Sequence, residues 1–110
     1  MFDSIKDMAK LPQMLAQAKA AQDKMKAMQE SMATRQFTGS DDDNLVSATV
    51  AGTLEVKEID IRTEHADRAA LEPAIVAACN NAQRQAQAAI QHEMRKIAED
   101  AGLPTDALPG

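Results

Sequence analysis

Leu11, Met14, Ala18, Ala21, Met25, Met28 and Met32 recur at alternating steps of three and four residues. A 3.5-residue period is that of a helix laying one apolar stripe against another helix. The stripe constrains the fold because little else in the chain can build a core: the 110 residues include two Phe, no Trp and no Tyr. The apolar fraction is 45%, but it leans on Ala and Met. These bury modest area each, so a lone compact monomer of this composition is weakly held together. A long helix with such a seam calls for a partner, most simply a second copy of the same chain. Met14, Met25, Met28 and Met32 are the candidate residues of that dimer seam.

The length suits one small domain, expected over residues 1–102, with 103–110 as a flexible tail. With 12 basic and 17 acidic residues the formal charge is -5, which favours solubility and gives no global attraction to nucleic acid or an acidic membrane. No apolar run has the length of a membrane span, and the mixed-charge N-terminus lacks the apolar region of a secretory signal. A lone Cys79 forms no internal disulfide; in its Ala-rich stretch it reads as a small buried hydrophobe in a reducing compartment. A cytoplasmic location is expected, with no membrane partner.

The first helix is expected from Asp3 or Ser4, either of which can cap it, to Thr34. Gln13 to Met32 contains no glycine and consists almost wholly of good helix formers. Pro12 suggests a separate leading turn over Phe2 to Ala9, or else a kinked continuous helix. Three strands are expected next, over Ala33–Thr38, Leu45–Val50 and Thr53–Ile61. The acidic turn Gly39–Asn44 separates the first two. Ala51-Gly52, with Gly52 at positive φ, separates the second and third. In the third strand the apolar residues change phase, so that Leu54 and Val56 share one side and Ile59 and Ile61 the other. A bulge near Lys57 and Glu58, or cover on both faces, would account for this. The second helix is expected over roughly Asp67–Asp100, capped by Asp67 and ended by Gly102 and Pro104. Pro73 suggests a separate first turn or a start near Glu72. Its apolar stripe is Ile75, Cys79, Ala82, Ala86, Ile90, Met94 and Ile97, with small residues that allow close packing on the sheet. The fold class is therefore α+β: long helix, three-stranded antiparallel sheet, long helix, in a dimer with projecting helical arms.

Catalytic chemistry is not legible. His65 and His92 share no partner spacing, and His92-Glu93 lacks the second histidine of a zinc helix. Asp41, Asp42 and Asp43 lack the ligand alternation of a calcium loop and read as a solvated turn. No glycine-rich phosphate cradle is present. The expectation is a non-enzyme with no cofactor, no metal and no small-molecule substrate.

The helices hold nine of the twelve basic residues, and the middle region is strongly acidic. In a symmetric dimer each helix cation appears twice, and paired sets of lysines can straddle a duplex and contact phosphates. The candidate DNA-binding residues are Lys10, Lys19, Lys24, Lys26, Arg35, Arg84, Arg95 and Lys96. The alternative is that these lysines keep the polar side of a seam soluble. The scarcity of aromatics argues against single-strand binding.

The segments LPQMLAQAKAAQDKMKAMQESM, FTGS, LVSATVAG, LEVKEIDI and AACNNAQRQAQ occur in that order over roughly residues 1–100. In order and spacing the chain resembles the YbaB/EbfC family of small nucleoid-associated proteins. The resemblance implies a homodimer whose long helices project from a paired sheet body. It also implies binding to double-stranded DNA with limited sequence preference, on the nucleoid in the cytoplasm. With only a few cation–phosphate contacts, that binding is expected to be weak and salt-sensitive. By the same resemblance Gly39 and Gly52 match family glycines and Asn80 a family asparagine, while Lys19, Lys24 and Lys26 lie in the helix thought to face DNA. Asp41–Asn44 stands where the family commonly has a glycine-rich stretch, and Ser47 where lysine is frequent. The alternative function is a protein-interaction or scaffolding module that grips a partner protein between Met- and Ala-rich helices.

Overall fold

The computed structural model describes residues 2–64 and 66–102, with side chains described from Lys10 onward. The side chains of the candidate caps Asp3 and Ser4, together with His65 and the tail 103–110, fall outside what it describes. The elements run α1 (Phe2–Thr34), β1 (Gln36–Ser40), β2 (Val46–Ala51), β3 (Val56–Ile61) and α2 (Arg68–Asp100). The strands form an antiparallel sheet in the order β1-β2-β3. The fold is thus α+β, with two long helices and a three-stranded sheet. The chain divides into two compact units: one from α1 up to Gln29 with α2 from Glu93, the other from Glu30 to His92.

Both helices run through their prolines. Pro12 lies inside α1 and Pro73 inside α2, so neither the separate leading turn before Pro12 nor a start of the second helix at Glu72 is found. A single missing ladder bond is outweighed where good helix formers continue on both sides. Before Pro73 the first turn is also fastened twice. Asp67 Oδ1 accepts from the Ala70 N–H at 2.9 Å, the cap expected of it, and Arg68 Nε donates to Glu72 Oε1 at 2.7 Å one turn apart. At the far end Gly102 has φ 74 and its N–H reaches the Glu99 carbonyl at 3.0 Å, the left-handed termination a glycine allows.

The core of the Glu30–His92 unit is β2 against α2. Val46, Ala48 and Val50, alternating along β2, are completely buried, and so are Ala78, Ala82 and Ala86, with Ala74 nearly so. The closest line of α2 is this four-step alanine row, which shares Ala82 and Ala86 with the expected stripe and departs from it at Ala74 and Ala78. Ile75 and Cys79 lie only half-buried at its margin. A methyl is the largest side chain the spacing admits, because the α2 backbone itself touches β1. A Cβ on Gly39 would fall against the Ala82 nitrogen and 2.8 Å from the Asn81 carbonyl carbon. Gly39 thus sits within β1 as a contact residue and not in the following turn.

The strands start one to three residues later than expected, and the turns are built differently. Positive φ falls on Leu54 (φ 74), not on Gly52. Gly52 is required for close approach: its N–H donates to the Met32 and Arg35 carbonyls, both at 3.1 Å, and a Cβ there would strike the Met32 backbone. Between β1 and β2, Asp41 is buried, not solvated. Its Oδ1 accepts from the Val46 N–H at 2.8 Å and its Oδ2 from the Asp43 N–H at 3.3 Å, while Asn44 takes φ 56. Replacing Asp41 by alanine leaves the buried Val46 N–H without its carboxylate partner. The expected loss is about 2 kcal/mol in urea unfolding, and Asp41→Asn, which keeps an acceptor oxygen, loses less than half of that.

The phase change in β3 is resolved by a bulge. Thr49 pairs with Glu58 but Val50 with Val56, so Lys57 is the extra residue. Val56, Ile59 and Ile61 then lie opposite Val50, Ala48 and Val46 and share the apolar face of the sheet. All three remain exposed, at 40%, 37% and 47%, because the alanine row of α2 covers β2 and not β3. Ser47, Thr49, Glu58 and Asp60 occupy the other, polar face.

Candidate nucleic-acid interface

The eight candidate cations are all exposed, and the fold divides them. Lys10, Lys19, Lys24, Lys26, Arg95 and Lys96 belong to the helical unit, whereas Arg35 and Arg84 belong to the sheet unit.

In the helical unit, Lys24 Nζ pairs with Asp100 Oδ2 at 3.3 Å, so its charge is already met from α2. The pair is half-exposed and contributes little to stability. Lys19 and Lys26 lie seven residues apart on one side of α1, interleaved with Asp23 and Glu30 at helical spacing. That side carries alternating charge and presents lysines to a phosphate backbone only in company with carboxylates. Among the described residues Lys10, Lys19, Lys26 and Lys96 make no ion pair. The apolar stripe of α1 is graded: Leu11 and Met14 are exposed at 47% and 58%, and Ala21, Met25 and Met28 are half-buried. A groove of about 390 Å³ lined by Met14, Ala18, Ala21 and Ala101 sets the end of α2 beside this stripe. Met32, by contrast, is buried in its own chain against Gly52.

In the sheet unit the two arginines are both held in place. Arg35 stacks 5.1 Å from the centre of the Phe37 ring, and its Nη1 lies 3.8 Å from Met32 Sδ. Arg84 Nη1 donates to Asn81 Oδ1 at 3.0 Å, and Asn81 Nδ2 donates in turn to the Ser40 carbonyl of β1 at 2.7 Å. Asn81 therefore ties α2 to the sheet and fixes one corner of the Arg84 guanidinium. This brace joins residues 41 positions apart, and no local spacing in the sequence announces it. His92 is exposed, and no group of three His, Cys, Asp or Glu able to hold a metal occurs among the described residues. No described helix is long and apolar enough to cross a membrane.

Residues 8–101 match the YbaB/EbfC DNA-binding family. The chain belongs to this family. It is 35% identical over 94 residues to a nucleoid-associated protein of Nitrobacter hamburgensis, an alignment that covers 83% of this chain and 89% of that protein. It is 33% identical over 94 residues to a nucleoid-associated protein of Clostridium acetobutylicum, covering 83% and 84%. The YbaB/EbfC match takes in every candidate cation from Lys10 to Lys96, α1 from residue 8, all of α2 and the whole sheet. Membership of a DNA-binding family makes this YbaB/EbfC chain a binding protein and not an enzyme.

Proposed function

We propose that the protein is a homodimeric, nucleoid-associated component of the cytoplasm that binds duplex DNA chiefly through backbone phosphates. The observation that carries this reading is the match of residues 8–101 to a DNA-binding family, in a chain whose helices bear most of its cations. Lys10, Lys19, Lys26 and Lys96 are the residues best suited to phosphates, and Lys24 contributes less because Asp100 already neutralises it. With few contacts and a net charge of -5, binding is weak and dominated by counterion release. Dimerisation is supported by the exposed Val56, Ile59 and Ile61 on an edge strand and by the exposed front of the α1 stripe. Large apolar side chains grouped on an edge strand call for cover.

Titration against a duplex of random sequence tests the function. Affinity is expected to fall by about ten- to a hundredfold between 50 and 200 mM salt, as two to four released counterions require. The double variant Lys19→Glu, Lys26→Glu should weaken binding at the lower salt and flatten that slope. A folded protein that binds no duplex at either salt would remove the reading.

A further inference from the structure

We propose that the outward face of α2 enters the DNA major groove and reads base edges through Asn80, Arg84, Gln87 and Gln91. The inference rests on the duplex-binding reading and adds a sequence preference to it. These four residues follow one another at steps of four, three and four, so they lie along one side of the helix. All four are exposed, and that side points away from the buried alanine row. They span about 16 Å of helix, and a major groove about 12 Å wide admits an α-helix.

The chemistry of this face differs from that of α1. From Pro73 to His92 the helix contains no Asp or Glu, so no carboxylate on the helix itself repels DNA along this stretch. Its single cation, Arg84, is accompanied by amides. Phosphates take contacts from lysine, arginine and amide donors alike and carry no sequence, whereas base edges are read by forked donors and by paired donor–acceptor groups. Arginine matches guanine O6 and N7, and asparagine and glutamine match adenine N6 and N7. An arginine among outward amides has the second character. Arg84 is also pre-oriented, since Asn81 holds one guanidinium nitrogen and is itself fixed to Ser40. Its remaining hydrogens are left for a ligand at a reduced entropy cost.

The neighbouring loop favours bases over backbone at one end of the face. A cleft of about 590 Å³ is lined by Asp42, Pro73, Val76, Asn80 and Arg84. Asp42 brings a carboxylate to it, which repels a phosphate but can accept from the amino group of cytosine. The exposed Val76 gives the same cleft an apolar wall suited to a thymine methyl.

The experiment is selection of duplexes from a random-sequence library by the full-length protein, followed by titration of the preferred duplex and a scrambled one. The wild type is expected to favour the selected duplex by tenfold or more. Arg84→Lys keeps the charge and loses the fork, and should reduce that ratio about tenfold with little change on scrambled DNA. Asn80→Ala and the pair Gln87→Ala, Gln91→Ala should each reduce the ratio similarly. These exposed alanine substitutions raise helix propensity, so a change in ratio is not a change in folding, and circular dichroism checks this. Lys19→Glu should weaken both duplexes equally. A wild type that binds DNA with a ratio of one, or variants that keep the wild-type ratio, would overturn base reading and leave phosphate binding standing. A wild type that binds no duplex would overturn both.

Discussion

Gly39→Ala is expected to destabilise the protein by about 3 kcal/mol, the upper part of the range for overpacked cores. The added methyl meets only backbone: the Ala82 nitrogen, the Asn81 carbonyl carbon at 2.8 Å and the Ala82 Cα at 2.9 Å. A flexible side chain could swing aside, but the main chain of a helix in mid-span cannot. Relief therefore requires α2 and β1 to separate. Separation opens the layer in which Val46, Ala48 and Val50 meet the alanine row and stretches the Asn81 bond to Ser40. Against a total stability of about 5–15 kcal/mol for a domain of this kind, the loss should lower the thermal midpoint by about 15 °C. Gly102→Ala supplies the contrast. That glycine has φ +74 with no atom within 4 Å of a Cβ. Its cost is confined to about 1 kcal/mol of left-handed backbone strain at a helix end. Equal losses at the two positions would mean that close approach is not what Gly39 provides.

The two glycines also show where a sequence is legible and where it is not. Termination at Gly102 depends on residues within one turn, and the spacing of Gly102 and Pro104 after a periodic run announces it. Gly39 depends on Ala82, some forty residues away, and a glycine beside three aspartates reads as part of a turn. Gly52 departs from its local signal for the same reason: its partner is the backbone of Met32, and the positive φ that a hairpin needs falls on Leu54. Element types and their order follow from period, which is a local property, and both long helices and all three strands are found where the pattern changes. Strand bounds shift by up to three residues because the hairpin loops recruit their own hydrogen bonds. The prolines mislead in the other direction, since a local penalty is absorbed by a long cooperative helix. The cations of the candidate site are legible as residues, but not their partners. Asp100 beside Lys24 arises from packing, as does the Ser40 carbonyl that anchors Asn81 beside Arg84, and they decide which of those charges is available.

Ile59→Lys is expected to convert a dimer to a monomer at micromolar concentration while leaving the fold of each chain intact. Ile59 lies opposite Ala48, on the apolar face that also carries Val56 and Ile61, and the bulge at Lys57 is what brings all three to that face. In the chain alone Ile59 is 37% exposed, so a lysine there keeps its stem on the sheet and extends its ammonium to water. The unfolding free energy per chain should change by less than about 1 kcal/mol. Across a paired edge the same ammonium is buried without a counter-charge, and the two-fold axis places it there twice. Dimer affinity should fall by at least about a hundredfold, and sedimentation velocity reads the change directly. DNA binding should fall with it, because two linked sets of cations bind a duplex more tightly than one set alone. The complementary substitution Ile59→Val removes one methylene without adding charge and should leave the dimer in place. If Ile59→Lys sediments as the wild type does, the β3 face is not the contact between copies. The exposed front of the α1 stripe, Leu11, Met14 and Leu15, then becomes the surface that needs a second chain, and Met14→Lys becomes the variant expected to dissociate it.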